Sequence, residues 1–200
     1  CHGNGEHVAY MAEELEFFRD EFEASVFAFD YRGYGKSEGE PTEAGVYADT
    51  LAAWKHLTES RGIPAERIVV LGRSLGSALA VELATHEAVD SLVLVSPLTS
   101  GRAVANAGGL WLISWLAGNP FPSLDRIETV KASTLFIHGT NDEVIPYEHG
   151  RELYGAHPGP KRFETVEGAG HNDLTQVGGQ TYWEAIRTHL DRYTPLRGGD

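Results

Sequence analysis

The fold is decided by one short stretch of the chain, Ile68-Val69-Val70-Leu71-Gly72-Arg73-Ser74-Leu75-Gly76. Its first half is an apolar, β-branched run typical of a buried strand, and the residues after Leu75 have the Ala/Leu composition of a helix. The pattern G-x-S-x-G between them predicts a sharp strand-to-helix bend that strains the Ser74 backbone and exposes its hydroxyl group. The alternative is an ordinary turn in which Ser74 only caps the helix. The two flanking glycines favour the bend.

The rest of the chain alternates apolar runs with helical patterns. Five apolar runs without strict alternation predict buried parallel strands, at residues 25–30, 67–72, 91–96, 134–138 and 162–166. Amphipathic or Ala/Leu-rich patterns predict helices at residues 8–22, 46–57, 75–85, 147–156 and 180–193. This alternation indicates βαβ units, so the predicted fold is α/β, with a doubly wound, mostly parallel sheet in a single domain of residues 1–200.

The connection at residues 97–131 is the one long connection without a predicted strand. Long insertions in compact domains tend to be lids or binding loops, so we expect a small helical cap at about residues 98–131. Trp111, Trp115 and Phe121 belong to this insertion. They either line a substrate pocket or pack the cap onto the domain.

Composition limits the classes of function. The 29 acidic and 16 basic residues give a net charge of −13, which argues against a nucleic-acid partner because phosphate binding needs a clustered basic surface. No apolar stretch approaches the ~18–20 residues of a membrane span. The lone Cys1 cannot form an internal disulfide, which fits a reducing, cytoplasmic location. No residue set has metal-ligand spacing, and neither Gly35-Lys36-Ser37 nor Gly3-Asn4-Gly5 completes a nucleotide-binding motif, so we expect no metal and no cofactor.

A serine hydroxyl needs a general base to become a nucleophile, and His171 is the best-placed histidine. It lies in Gly168-Ala169-Gly170-His171-Asn172-Asp173, a glycine-rich turn just after the last predicted strand, from which its ring can reach Ser74. His138 is the main alternative. It ends a predicted strand, where a packed, hydrogen-bonded histidine is the commoner outcome.

An acid that orients the base is expected at the carboxyl end of the preceding strand. Gly139-Thr140-Asn141-Asp142-Glu143 follows that strand, and Asp142 is the candidate. Glu143 is expected to point away from the histidine. The chain order Ser74, Asp142, His171 is the order expected for a serine nucleophile on a strand-to-helix bend.

Backbone N–H groups near Ser74 are the predicted donors to a developing oxyanion. The N–H group of Leu75 lies at the N-terminus of a predicted helix, where negative charge is favoured. His2-Gly3-Asn4-Gly5 leads into the first predicted helix and is expected to supply a second donor, the N–H of Asn4 or, less favoured, of Gly5. The alternative is that this segment is only a tight turn.

Five segments, taken in order, resemble the Bem46-like α/β-hydrolases, a group that includes the ABHD13- and ABHD17-type proteins. They are Cys1-His2-Gly3-Asn4-Gly5, Asp30-Tyr31-Arg32-Gly33-Tyr34-Gly35-Lys36-Ser37-Glu38-Gly39, Gly72-Arg73-Ser74-Leu75-Gly76, His138-Gly139-Thr140-Asn141-Asp142 and Gly168-Ala169-Gly170-His171-Asn172-Asp173. The resemblance runs to about residue 193. It implies the α/β-hydrolase fold and a serine hydrolase of small-molecule or acylated esters and thioesters, including acyl chains on proteins in some members. It assigns the nucleophile to Ser74, the acid to Asp142, the base to His171 and the oxyanion donors to Asn4 and Leu75.

In this group the loop at residues 2–5 follows a strand inside the sheet, between the strands that match residues 25–30 and 67–72. This sequence begins at Cys1. We therefore expect an N-terminally shortened chain that lacks about three strands and is insoluble or inactive when expressed alone.

The predicted function is hydrolysis of carboxylic ester or thioester bonds through an acyl-enzyme intermediate. Two alternatives stay open at this point. One is a serine peptidase of the prolyl-oligopeptidase type, and the other is a binding protein on the same fold without catalysis. Arg73 and Arg32 either meet an anionic substrate group or form structural salt bridges.

Overall fold

The computed structural model describes residues 1–108 and 119–193, and within them a parallel four-stranded sheet carries helices on both faces. The strands are β1 (Val69–Arg73), β2 (Ser91–Val95), β3 (Ser133–Gly139) and β4 (Lys161–Val166). The helices are α1 (Ala12–Phe22), α2 (Glu43–Lys55), α3 (Leu75–His86), α4 (Gly101–Ala107), α5 (Ser123–Ile127), α6 (Tyr147–Ala156) and α7 (Leu174–Tyr193). A single non-helical residue, Gly179, interrupts α7.

The strands lie in their sequence order, β1-β2-β3-β4, and every pair is parallel. The register places Arg73 beside Val95, and Val95 beside Ile137. All four strands therefore end at one edge of the sheet, and the loops that follow them meet there. In open α/β sheets this carboxyl edge is where ligands bind.

Alternate residues of the strands enter two separate cores, because successive side chains point to opposite faces. On one face, Leu92, Leu94 and Phe136 pack with side chains of α2, α3 and α6. On the other face, a second set packs with side chains of α1 and α7, and it includes Val93, Val95, Leu135 and Ile137. Coverage on both faces explains why the strands read as continuous apolar runs. The predicted doubly wound α/β fold is confirmed.

The prediction of a strand at residues 25–30 is wrong, because this segment is in no ladder. A strand needs a neighbour for its N–H and C=O groups, and no described strand runs beside it. Among the residues that the structure describes, Cys1 is the one that pairs with the outer side of β1. Its N-terminal ammonium group donates to the Leu71 oxygen at 2.7 Å, and its oxygen accepts from the Arg73 N–H at 3.1 Å. Val26 and Phe27 are accordingly 42% and 47% exposed.

The predicted cap contains α4 and α5 at its two ends. Trp111 and Trp115 lie outside the described residues. Across residues 1–108 and 119–193, none of the helices combines the length and the apolar character that crossing a membrane requires.

Candidate active site

The predicted bend at Ser74 is present between β1 and α3. Ser74 has φ 53° and ψ −121°, a strained conformation for a residue other than glycine. Both flanking glycines are required by close contacts. A Cβ atom at Gly76 would lie 2.2 Å from the Cys1 oxygen, and one at Gly72 would lie 2.4 Å from the Gly76 oxygen. The backbone thus holds the Ser74 side chain at the carboxyl edge of the sheet.

The structure brings Ser74, His171 and Asp142 together, although Ser74 and His171 are 97 positions apart in the chain. The Nε2 atom of His171 lies 3.1 Å from Ser74 Oγ. Its Nδ1 atom lies 2.8 Å from Oδ2 and 3.0 Å from Oδ1 of Asp142. Since a carboxylate only accepts hydrogen bonds, Nδ1 carries a proton and Nε2 of the neutral ring is free to accept the Ser74 proton.

The carboxylate of Asp142 is held by further donors. Its Oδ1 atom accepts from the backbone N–H groups of Val144 at 3.0 Å and Ile145 at 2.7 Å. Burial alone would raise the pKa of Asp142, but hydrogen bonds from His138, His171 and the Ile145 N–H outweigh it and hold that pKa well below its usual range. Asp142 therefore remains ionised at neutral pH, although it is buried.

His138, the alternative base, contacts Asp142 and the Ile145 oxygen rather than Ser74. Its ring is fully buried, and Nε2 lies 2.9 Å from the Ile145 oxygen and 3.3 Å from Asp142 Oδ2. Both neighbours are acceptors, so Nε2 carries the proton. His138 is thus the packed, hydrogen-bonded histidine that its position at a strand end indicates, and it also contacts the carboxylate that binds His171.

The expectation that Glu143 points away is wrong. Its Oε2 atom accepts from the backbone N–H of His171 at 3.3 Å. The reason is that the loop of residues 168–173 folds back over the turn after β3, where the Asn141 N–H donates to the Ala169 oxygen at 2.9 Å. Glu143 therefore touches the His171 backbone, whereas Asp142 touches the ring.

The segment at residues 2–5, which we call the oxyanion loop after the role predicted for it, lies directly against Ser74. A Cβ atom built on Gly3 would be 3.3 Å from Ser74 Cβ. Asn4 follows in a turn. On the other side, Leu75 is the first residue of α3, so its N–H group has no acceptor within the helix.

Two tyrosines of the segment at residues 30–39 hold the oxyanion loop, a role that sequence reasoning missed. The buried Tyr31 donates its hydroxyl group to the His2 oxygen at 3.2 Å. Tyr34 donates to Asn4 Oδ1 at 2.7 Å. The rings of both tyrosines also pack on the His2 ring, with centroids 4.2 and 5.3 Å apart. The only signal in the sequence was the match of this segment to a family pattern, which assigns it no role.

Phe121 is the one predicted substrate-binding residue that the structure describes. Its ring lies edge-on to Tyr47, with centroids 5.7 Å apart, and it packs against the apolar clusters around Leu79 and Leu98. Its backbone N–H donates to Glu43 on α2 at 2.8 Å. These contacts place Phe121 on α2 and α3.

A strained serine between a strand and a helix, at the carboxyl edge of a doubly wound parallel sheet, defines an α/β-hydrolase. A family model described as "Serine aminopeptidase, S33" matches residues 1–126. This match covers more than half of the chain, so the chain belongs to that family, the Hydrolase_4 family of α/β-hydrolases. The matched residues include Ser74 and end before Asp142.

Curated relatives agree with this family. The alpha/beta hydrolase domain-containing protein aho-3 of Caenorhabditis elegans is 40% identical over 190 residues, which are 95% of this chain and 56% of the relative. Alpha/beta hydrolase domain-containing protein 17B of Homo sapiens is 38% identical over 191 residues, 96% of this chain and 65% of the relative. The chain thus spans less than two thirds of the length of these relatives. The resemblance to ABHD17-type α/β-hydrolases is confirmed.

Among solved structures, an esterase of Pyrococcus furiosus is similar to this chain. The TM-score is 0.80 and the sequence identity 24%, with 96% of this chain and 81% of the esterase covered. At this identity the likeness shows that the two proteins share a fold.

Proposed function

We propose that this protein is a serine hydrolase that cleaves carboxylic ester or thioester bonds through an acyl-enzyme intermediate. Ser74 is the nucleophile, His171 the general base and Asp142 the group that orients the base. The observation that carries the proposal is the continuous set of contacts from Ser74 Oγ through the His171 ring to Asp142, at 3.1 and 2.8 Å. These distances are within the reach that proton transfer and ring orientation require.

In the first step, Ser74 Oγ attacks the carbonyl carbon of the substrate while His171 Nε2 takes the hydroxyl proton. The ionised Asp142 stabilises the imidazolium that forms. The carbonyl oxygen becomes an oxyanion, and the N–H groups of Leu75 and Asn4 are the proposed donors to it. Collapse of this intermediate expels the alcohol or thiol, which receives the proton from His171.

In the second step, water replaces the alcohol or thiol. His171 Nε2 takes a proton from water as its oxygen attacks the acyl carbon on Ser74. A second oxyanion forms at the same donors. Its collapse releases the carboxylic acid, and the proton on His171 returns to Ser74 Oγ.

A peptidase reaction is the second candidate, because the family model carries the description of a serine aminopeptidase. The same residues would then attack an amide carbonyl. A panel of acyl esters, acyl thioesters and aminoacyl amides, with acyl chains of increasing length, distinguishes the two. For protein that is soluble and folded, the proposal expects turnover of esters or thioesters, and turnover of amides alone would support the peptidase.

Substitution of Ser74 tests whether the protein is catalytic or only binds. We expect Ser74→Ala to lower kcat by about 10³-fold or more, because the residual rate rests on binding and the oxyanion donors. A fluorophosphonate should label the wild-type protein and leave Ser74→Ala unlabelled. The matched control is Ser91→Ala. It removes a buried hydroxyl group at the amino end of β2, whereas Ser74 lies at the carboxyl edge of the sheet. An unlabelled wild-type protein without esterase activity would support the silent binding protein.

A further inference from the structure

Arg73, the residue between Gly72 and the nucleophile, bridges two loops of the site. Its side chain is 20% exposed, and its Nη1 atom donates to Glu6 Oε1 at 2.6 Å. Its Nη2 atom points to the other loop, with the His171 oxygen at 3.3 Å and Asn172 Oδ1 at 3.2 Å. One guanidinium group therefore contacts both the segment after the oxyanion loop and the loop that carries His171.

Glu6 extends this bridge to the oxyanion loop itself. Its second carboxylate oxygen, Oε2, accepts from the backbone N–H of Gly3 at 2.6 Å. Gly3 lies directly against the nucleophile, since a Cβ atom built on it would be 3.3 Å from Ser74 Cβ. A continuous path of hydrogen bonds thus runs from Gly3 through Glu6 and Arg73 to the backbone of His171.

We propose that Arg73 and Glu6 are positioning residues that hold the oxyanion loop and His171 at a fixed distance on either side of Ser74. This inference rests on the proposed function. Catalysis depends on placing donors and base to within a fraction of an ångström, and a misplacement of 1 Å costs up to ~10²-fold in rate. Arginine suits this role, because its planar fork points separate N–H groups at separate acceptors.

The same contacts argue against Arg73 as a receptor for an anionic substrate. Its N–H groups already donate to Glu6, His171 and Asn172. A substrate anion at Nη1 would compete with the Glu6 carboxylate, which also holds the Gly3 N–H. The Arg73 side chain therefore serves to connect the two loops.

The test compares the two single variants Arg73→Gln and Glu6→Gln with the double variant, in the full chain. The matched control is Arg187→Gln, since Arg187 also forms a 2.6 Å pair with a glutamate, Glu21, and donates to a backbone oxygen. That pair joins α7 to α1, away from Ser74. The measurements are kcat and KM for an ester substrate, the rate of fluorophosphonate labelling and the thermal midpoint.

We expect each single variant to lower kcat and the labelling rate about tenfold or more, with KM within about twofold of wild type. The double variant should lose little more than either single one, because the two residues act as one unit. Arg187→Gln should keep the wild-type kcat. Equal kcat losses in the control, additive losses in the double variant or a change confined to KM would overturn the proposal.

A conservative variant covers the case in which Arg73→Gln does not fold. Arg73→Lys keeps the charge next to Glu6 but lacks the fork that reaches His171, so we expect a rate between wild type and Glu6→Gln. A wild-type rate in both of these variants contradicts the inference. A wild-type protein that neither cleaves esters nor reacts with fluorophosphonate contradicts the proposed function instead.

Discussion

At the scale of single residues, the carboxylate of Asp142 is shared between two histidines, one in a loop and one at the end of a strand. His171 comes from a loop and reaches Ser74, whereas His138 ends β3 and is fully buried. Removal of the His138 ring deprives two buried acceptors, Asp142 Oδ2 and the Ile145 oxygen, of the Nε2–H donor. Such a loss costs about 1–3 kcal/mol, and it also frees the carboxylate that orients the base.

We therefore predict that His138→Leu lowers both the free energy of unfolding and kcat, the latter by about tenfold at a temperature where the variant is folded. The control is His157→Leu. His157 is also almost fully buried, and its Nε2 atom lies 3.0 Å from the Ala132 oxygen. Urea unfolding should show comparable losses of stability in both variants. A loss of kcat that is equal in both would contradict a role of His138 at Asp142.

The candidate site could be predicted from sequence to the extent that it lies next to strand ends. Ser74, Asp142 and His171 each follow an apolar run, and parallel strands bring such positions together. Glu6 carried no comparable signal. Its partner Arg73 is 67 positions away, and nothing in the sequence around Glu6 sets it apart from any other surface carboxylate. The reach of Glu143 to the His171 backbone depends on how one loop folds over another, which residue spacing does not encode.

At the scale of secondary structure elements, sequence patterns located the helices better than their ends. The last helix was predicted to begin at residue 180, whereas α7 begins at Leu174 and changes direction at Gly179. The buried Leu174 side chain stabilises the turn of helix that precedes Gly179. The apolar run at residues 25–30 has the composition of a strand but pairs with none of the described strands. Composition alone does not report which segments lie beside it.

The break in α7 leads to a prediction with a matched control. Gly179 has φ 47° and ψ −129°, a conformation that side-chain-bearing residues rarely adopt. We expect Gly179→Ala to destabilise the fold by about 1–3 kcal/mol. Gly155 near the end of α6 has open space around its Cβ position, so Gly155→Ala should be neutral or stabilising by up to about 1 kcal/mol. Midpoints of urea unfolding measure both changes, and a loss of the same size in the two variants would contradict this account.

At the scale of the whole molecule, the carboxyl and amino edges of the sheet hold different ionisable groups. The carboxyl edge holds the candidate site with its ionised carboxylate. At the amino edge, Ser91 begins β2, and its Oγ lies 2.9 Å from Nε2 of His189 on α7. Both side chains are buried. Burial, aided by the positive charge of Arg162, lowers the pKa of His189 from 6.5 to about 4.

This buried histidine makes stability depend on pH in a defined direction. Well above pH 6.5 His189 is neutral in both the folded and the unfolded chain and contributes no pH dependence. As the pH falls from 6.5 towards 4, the unfolded chain binds a proton that the folded chain does not, so the free energy of unfolding decreases. The decrease is about 1.4 kcal/mol per pH unit and reaches at most about 3.4 kcal/mol. His189→Gln keeps an amide near Ser91 but does not titrate. Urea unfolding at pH 7, 6, 5 and 4 should therefore give a shallower pH dependence for this variant, and curves of equal slope would show that His189 is not the source.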